Sequence, residues 1–213
     1  MNDLLEKAVA ALEKNRIAVT VVDRKADVPA AVAALLTPGC SVAVGGSVTL
    51  QETGVLDLLR SGQYRFLDRF APDLSPEQRE DVLHRSLTAD AFLCSANAVT
   101  ANGELYNVDG NANRVAALAY GPRRAIAVAG INKLVPDLAA AVRRVKTVAA
   151  PKNAVRLHCA TPCAATGHCL YPDGGMTEGC DSPQRLCCEY LVTAWQRDPA
   201  HLHVILVREA CGY

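Results

Sequence analysis

The chain has 213 residues, half of them hydrophobic, and 22 Lys+Arg balance 22 Asp+Glu. That neutrality argues against a nucleic-acid or anionic-membrane surface as the main partner. The length suits one substantial α/β domain or two small ones. Aromatics are only 5% of the chain, so Val, Ala and Leu must fill the core. No apolar run is long enough to span a bilayer. The opening "MNDLLEKAVAALEKNR" reads as an amphipathic soluble helix and not as a signal peptide. The expected location is the cytoplasm, where nine cysteines are not simply a disulfide framework.

In chain order, a helix over residues 3–14 leads into the strand "IAVTVV". "DVPAAVAALL" is a short helix ended by "TPG". "CSVAVGG" is a buried strand closing on two glycines, and residues 47–62 form the next helix. "YRFLDRF" is a short strand. Residues 75–89 are a helix with Ser75 as N-cap, Pro76 at the first helical position and Gln78 completing a capping box. "DAFLCS" is buried strand again, and two short strands flank an Asn102–Gly103 turn. "ANRVAALAY" is a helix stopped by Gly121 and Pro122. "RRAIAVAG" is strand and residues 135–150 helix. A Cys-, Gly- and Pro-rich stretch follows, then an expected helix over residues 184–197 and a last strand, "HLHVILVRE". With no repeat and no linker, residues 1–213 read as a single domain. The β–α alternation predicts an open, mostly parallel sheet flanked by helices, with ligands bound beyond the carboxyl ends of its strands.

Three polar loops fall at such ends. In "GGSVTLQETG", Gly45 and Gly46 let backbone N–H groups approach an anion. Ser47 and Thr49 add hydroxyls at a helix start, and Glu52 is placed to move a proton. The plainer alternative is a glycine turn with a capping Ser47 or Thr49 and an ordinary first-turn acid. "NVDGNANR" carries Asn107, Asp109, Gly110, Asn111, Asn113 and Arg114. Turn and capping chemistry needs Asp109–Gly110 and one asparagine, which leaves Arg114 to bind a carboxylate or phosphate, or to pair with Asp109. Asn97 ends one strand, and Asn132 and Lys133 end another. Amides, an acid and two cations converging from strand ends suit a small anionic, hydroxyl-bearing substrate. In this set Glu52 and Asp109 are the candidate proton carriers and the others candidate ligand contacts.

The segment of about residues 159–188 holds Cys159, Cys163, Cys169, Cys180, Cys187 and Cys188. Such density in a cytosolic chain points to metal over packing. Thiolates suit zinc or an iron–sulfur cluster equally, and the spacing matches no ferredoxin pattern. Cys40, Cys94 and Cys211 sit in or beside apolar runs and read as packed.

"GGSVTLQETG", "SANAVTANGELYNVDGNANRVAALAYGP", "VAGINKLVPDLAAAVRRVKTVAAPKNA" and "TPCAATGHC…CDSPQRLC" together resemble the lactate utilization (LUD-domain) family, in its short, cysteine-bearing branch. The resemblance implies a fold like ribose-5-phosphate isomerase, glucosamine-6-phosphate deaminase and CoA transferases, with the Cys-rich stretch inserted near the C-terminal end. It implies oxidation of lactate, or another small hydroxy acid, beside iron–sulfur partner subunits. It also selects Cys163, Cys169, Cys180 and Cys187 as four ligands, of a [4Fe–4S] cluster first and of zinc as the alternative. "ANAVTANGELYN" is similar to a segment of methylthioribose-1-phosphate isomerases in which an Asp serves catalysis, and the matching position here is Asn97. Two alternatives stand beside the first: a sugar-phosphate isomerase or CoA-transferase-like enzyme with structural zinc, and a non-catalytic assembly subunit. A homodimer is compatible with all three.

Overall fold

A computed structural model describes residues 2–213. In chain order its elements are α1 (Asn2–Lys14), β1 (Ala18–Val22), α2 (Val28–Ala33), β2 (Ser41–Val44), α3 (Val48–Glu52), α4 (Val55–Arg60), β3 (Arg65–Leu67) and α5 (Pro76–Ser86). There follow β4 (Ala91–Cys94), β5 (Ala98–Thr100), β6 (Leu105–Asp109), α6 (Asn113–Ala119), β7 (Arg124–Gly130), β8 (Leu134–Val135) and α7 (Leu138–Arg144). A π-helical turn (Val145–Ala149) joins α7 to α8 (Ala150–Arg156), and α9 (Pro162–Thr166), β9 (Glu189–Thr193) and β10 (Leu202–Val207) complete the chain.

Six strands form one parallel sheet in the order β1–β10–β7–β4–β2–β3. Its strands read as unbroken apolar runs because both faces are covered. On one face Val42, Val44, Leu93, Ile126 and Val128 pack against Val28 and Val32 of α2 and Leu50, Val55 and Leu59 of α3 and α4. On the other, Ala43, Phe92, Ala125, Val204 and Leu206 meet Leu5 and Leu12 of α1, Leu118 of α6 and Leu105 of β6. A second, mixed sheet runs β8–β5–β6–β9. Its outer face carries Ala98, Tyr106 and Val108 onto Ala141 of α7 and Val145 of the π turn.

This order creates a switch point. β2 lies between β3 and β4. From β2 the chain leaves over one face through α3, and from β4 it leaves toward the second sheet on the other. The two loops part and open a crevice beyond the carboxyl ends of β2 and β4.

Three expected helices differ. Residues 47–62 break into α3 and α4 because Gly54 takes a left-handed conformation (φ 73°). The helix expected from residue 135 begins as β8, restarts behind the Asp137 N-cap, widens into the π turn and runs through Pro151 to Arg156. Residues 184–197 are not helical: Glu189–Thr193 pairs antiparallel with β6. The apolar run "LCCEYLVTAW" fits either period, and the available edge of β6 decides it. No helix among the described residues is long and apolar enough to cross a membrane.

Candidate functional site

The crevice is a cleft of ≈ 480 Å³. Gly46, Ser47 and Thr49 line it from beyond β2, Ser95 and Asn97 from beyond β4, and Asp109–Gly110–Asn111 with Asn113 and Arg114 from β6 and α6. Lys133 reaches it from the turn after β7, Arg69 from beyond β3, Asn153 and Arg156 from α8, and Tyr213 from the tail. Five cations line it (Arg69, Arg114, Lys133, Arg156 and Arg185), against one acid among the described residues, Asp109.

That acid is already engaged. Asp109 accepts hydrogen bonds from Arg114 N and Val115 N at 2.9 Å, so it, not Asn111 or Asn113, caps α6. It also takes Arg114 Nε at 2.8 Å in an ion pair that is 13% and 9% exposed. The rest of the Arg114 guanidinium donates to Ser95 O, Val108 O and Asn97 Oδ1. Arg114 therefore ties β4, β6 and α6 together, and only a fraction of its donors remain for a ligand. Asn97 Oδ1 also accepts from Val108 N, which leaves its amide NH₂ to face the cleft. Gly45 does not line the cleft. Its Cα packs where a side chain would press on Arg114 and Cys94 at 3.4 Å. Asn107 lies fully buried beneath the cleft, its amide without a hydrogen-bond partner among the described residues. Asn111 and Asn113 stand on the rim.

Ser47 spends its hydroxyl on the Leu50 N–H as the cap of α3. Thr49 is different: its Oγ1 donates to Cys211 O and accepts from Lys133 Nζ at 2.9 Å. Lys133 is 3% exposed, and its second contact is Ser95 Oγ, also 2.9 Å away. Desolvation pushes this ammonium down to about 7, and Arg144 and Arg114 add to the fall while the thiols of Cys211 and Cys94 oppose it.

Besides Gly45 and Asn107, two more expected residues leave the cleft. Glu52 accepts from Gly212 N at 3.0 Å and pairs with Lys25 at 3.4 Å. Asn132 accepts from Cys211 N and donates to Gly212 O, each at 3.0 Å. Both hold the segment 211–213, and neither lines the cleft. With Asp109 committed to Arg114 and to the start of α6, neither expected proton carrier is a free base at the site.

Sequence reasoning missed Arg69, Ser95, Arg156 and Tyr213. Arg69 Nε is buried with no hydrogen-bond partner among the described residues, and its guanidinium lies 5.4 Å over the Phe70 ring. Burial and the neighbouring Arg79 and Arg156 pull its pKa below the usual guanidinium value. Among the described residues Arg156 donates only to Asn153 Oδ1 and Tyr213 Oη. The one available signal was that "YRFLDRF" ends at the same edge of the sheet as "VAVGG".

Beside the cleft lies a small chamber of ≈ 30 Å³. Cys163, Cys169, Cys180 and Cys187 all line it, among Val142, Leu170, Met176, Leu186 and Tyr190. Cys159 lines the cleft instead, and Cys188 is exposed. All nine cysteines are free thiols. Burial pushes Cys187 up to about 11, with the Cys163 and Cys169 thiols adding to the rise. Among the described residues no three His, Cys, Asp or Glu are grouped so as to hold a metal ion. The chamber nonetheless has charge to receive an anionic group. Lys146, 4% exposed, donates only to the backbone oxygens of Tyr171 and Glu178, at 3.0 and 2.8 Å. Arg185 donates to the backbone oxygens of Thr177, Cys180 and Cys187 and to Tyr190 Oη. Among the described residues Glu178 is the one acid that lines the chamber, and neither cation is paired with it. Two unpaired cations beside four thiols suit a negatively charged thiolate–metal centre. Chamber and cleft share a wall: Val145, Ala150, Arg185, Leu186 and Cys187.

The fold is similar to that of a DUF162 family protein from Deinococcus radiodurans, with 21% identity, a TM-score of 0.55 and 97% of each chain covered. No curated protein sequence matches the chain. The family model named LUD domain matches residues 5–207, nearly the whole chain, and the protein belongs to the LUD-domain family, a family tied to lactate utilization.

Proposed function

We propose that this protein acts on lactate or another small 2-hydroxy acid in its oxidation to the 2-oxo acid, together with iron–sulfur partner subunits. One observation carries the reading. The cleft at the switch point presents Arg69, Arg156 and Lys133 with no acid to neutralise them, since Asp109 is held by Arg114. A carboxylate satisfies such a set, and a bidentate Arg–carboxylate contact orients it. Arg69 and Arg156 take the carboxylate of the ligand, and the Asn97 amide and Lys133 Nζ face its oxygen at C2. Ser95 and Thr49 fix Lys133 from either side. The likeness to ribose-5-phosphate isomerase and CoA transferases implied by the sequence agrees with a ligand at strand ends.

Cys163, Cys169, Cys180 and Cys187 hold the metal centre in this reading. The all-thiol donor set and the unneutralised Lys146 and Arg185 support an iron–sulfur cluster, which when bound supplies one-electron chemistry next to the substrate. Zinc at the same cysteines is the alternative, and a single zinc ion requires all four sulfurs within about 2.3 Å of one point. In this reading the centre lies against the cleft, because Cys187 lines both cavities.

The test is anaerobic purification with metal analysis and electron paramagnetic resonance, paired with thermal-shift titration of L-lactate, pyruvate, inorganic phosphate and ribose 5-phosphate. Iron and sulfide bound in the wild type and lost in Cys187→Ser, with stabilisation by lactate or pyruvate, support the proposal. Stoichiometric zinc without iron overturns its redox half. Stabilisation by ribose 5-phosphate but not by lactate or pyruvate overturns its substrate half in favour of isomerase or transferase chemistry.

A further inference from the structure

We infer that Lys133 is a carbonyl-capturing amine: its Nζ condenses with the keto group of a small 2-oxo acid in the cleft to form an imine. The inference rests on the small-acid reading of the cleft and names the chemistry of its floor.

The contrast with Lys146 carries it. Both lysines are buried, at 3% and 4% exposure. Lys146 Nζ meets two backbone carbonyls, which only accept hydrogen bonds and so hold it as a donor. Lys133 Nζ meets two hydroxyls, and a hydroxyl can donate as well as accept. Thr49 Oγ1 gives its proton to Cys211 O, so it accepts from Lys133. The Ser95 hydroxyl has one other acceptor, Ala96 O at 3.3 Å, and is free to turn toward the amine lone pair. This site accommodates a neutral amine. The charged groups around it are of the wrong sign to keep a proton: Arg144 and Arg114 face Lys133, while the Cys94 and Cys211 thiols are held in their neutral form by burial. Gly212 roofs the pair on one side, where a Cβ would collide with Thr49 Oγ1 and come within 3.3 Å of Lys133 Nζ. The remaining approach is from the cleft.

The step balances without an oxidant. The Nζ lone pair attacks C2, a C–N bond forms, and the C=O π bond opens to a carbinolamine. Ser95 is placed to relay both nitrogen protons in turn to that oxygen, the first making the hydroxyl and the second making it water. The C–O bond then breaks, water leaves and the C=N bond closes. A hydroxy acid, with no keto carbonyl at C2, cannot take this path.

The test is reductive trapping. The metal-intact protein is incubated with pyruvate or glyoxylate and then with sodium borohydride, and the adduct is mapped by peptide mass spectrometry. A lysine titrating near 7 is about half neutral at pH 7, on the order of 10³-fold more than one at about 10.4. The expected result is an adduct concentrated on Lys133, at least ~100-fold above exposed Lys7 and Lys152 at pH 7. It is absent in Lys133→Arg, slowed in Ser95→Ala, and not produced by lactate. Adducts spread over surface lysines alone overturn the inference. So does a missing adduct when pyruvate still stabilises the protein thermally, in which case the small-acid cleft survives. If neither adduct nor stabilisation appears with pyruvate or lactate, both readings fall. Lys133→Arg must retain the wild-type circular dichroism spectrum. If it does not, the decision comes from the mapped position in the wild type and the rate in Ser95→Ala.

Discussion

The cleft and the cysteine chamber lie back to back and are built on opposite plans. The cleft is wide, ≈ 480 Å³, and its groups stand at the ends of packed parallel strands. The chamber is ≈ 30 Å³ and is walled mainly by the stretch between α8 and β9, where α9 is the one regular element. In the cleft the chemistry is precise because strands hold it. Asp109, Arg114, Asn97 and Ser95 are fixed to one another before any ligand arrives. In the chamber, the short α9 carries Cys163 and loops carry Cys169, Cys180 and Cys187, and Lys146 and Arg185 hold those loops by their backbone oxygens. One region uses buried charge to shape a strand-end pocket, and the other uses it to gather an irregular segment. Both hold cations that no carboxylate pairs among the described residues, Arg69 and Arg156 in the cleft and Lys146 and Arg185 in the chamber.

The largest effect is expected where the cleft frame is cut. Arg114→Ala leaves Asp109 buried and unpaired and should cost about 3–5 kcal/mol in urea unfolding. A loss below about 1 kcal/mol would mean that Arg114 is a ligand arm and not a frame. Next comes the floor. The folded-state pKa of Lys133 is lowered from 10.5 to about 7. Across that window the unfolded state binds more protons, so burial of Lys133 costs stability at and below about pH 7 and the cost fades as pH rises toward 10.5. Against Lys133→Met, the wild type should gain on the order of 1 kcal/mol per pH unit between about pH 7 and 10. A pH-independent difference would show the amine stays charged and would break the contrast with Lys146.

A smaller effect falls on binding alone. Arg69→Gln removes a guanidinium whose Nε has no partner, so stability should change little while small-acid affinity drops about tenfold to a hundredfold. Iron content should stay at the wild-type level, because Arg69 does not line the chamber. Loss of both together would merge the two regions into one site. Smallest is Ser75→Ala, which opens the capping box of α5 at a position that lines neither cavity. It should cost about 1 kcal/mol in unfolding and leave ligand and metal binding unchanged.

Much of the frame was legible in the chain. Apolar runs of Val and Ala marked β2, β4, β7 and β10, and the capping box marked α5, because both are local patterns of one period or one turn. The cysteines stood out by density, and the four the family resemblance selects line one chamber while Cys159 and Cys188 do not. The polar loop 107–114 stood out as richer than a turn needs, and five of its residues line the cleft: Asp109, Gly110, Asn111, Asn113 and Arg114. Its use was not legible: Asp109 and Arg114 meet across the start of α6, and no sequence rule says whether an arginine at that distance turns inward to frame the pocket or outward to bind a ligand.

What the sequence determined by itself was the parallel α/β class, the polar loops at the strand ends, and the thiol-rich segment. The tertiary structure alone decided the rest. It turned "EYLVT" into a strand because β6 had an open edge. It sent Glu52 and Asn132 to the tail at 211–213. It also brought Arg69 and Arg156, 87 positions apart by their numbers, to the same cleft as Lys133. Charge without a partner is a property of three-dimensional neighbours, and a one-dimensional pattern carries no record of which neighbours are missing.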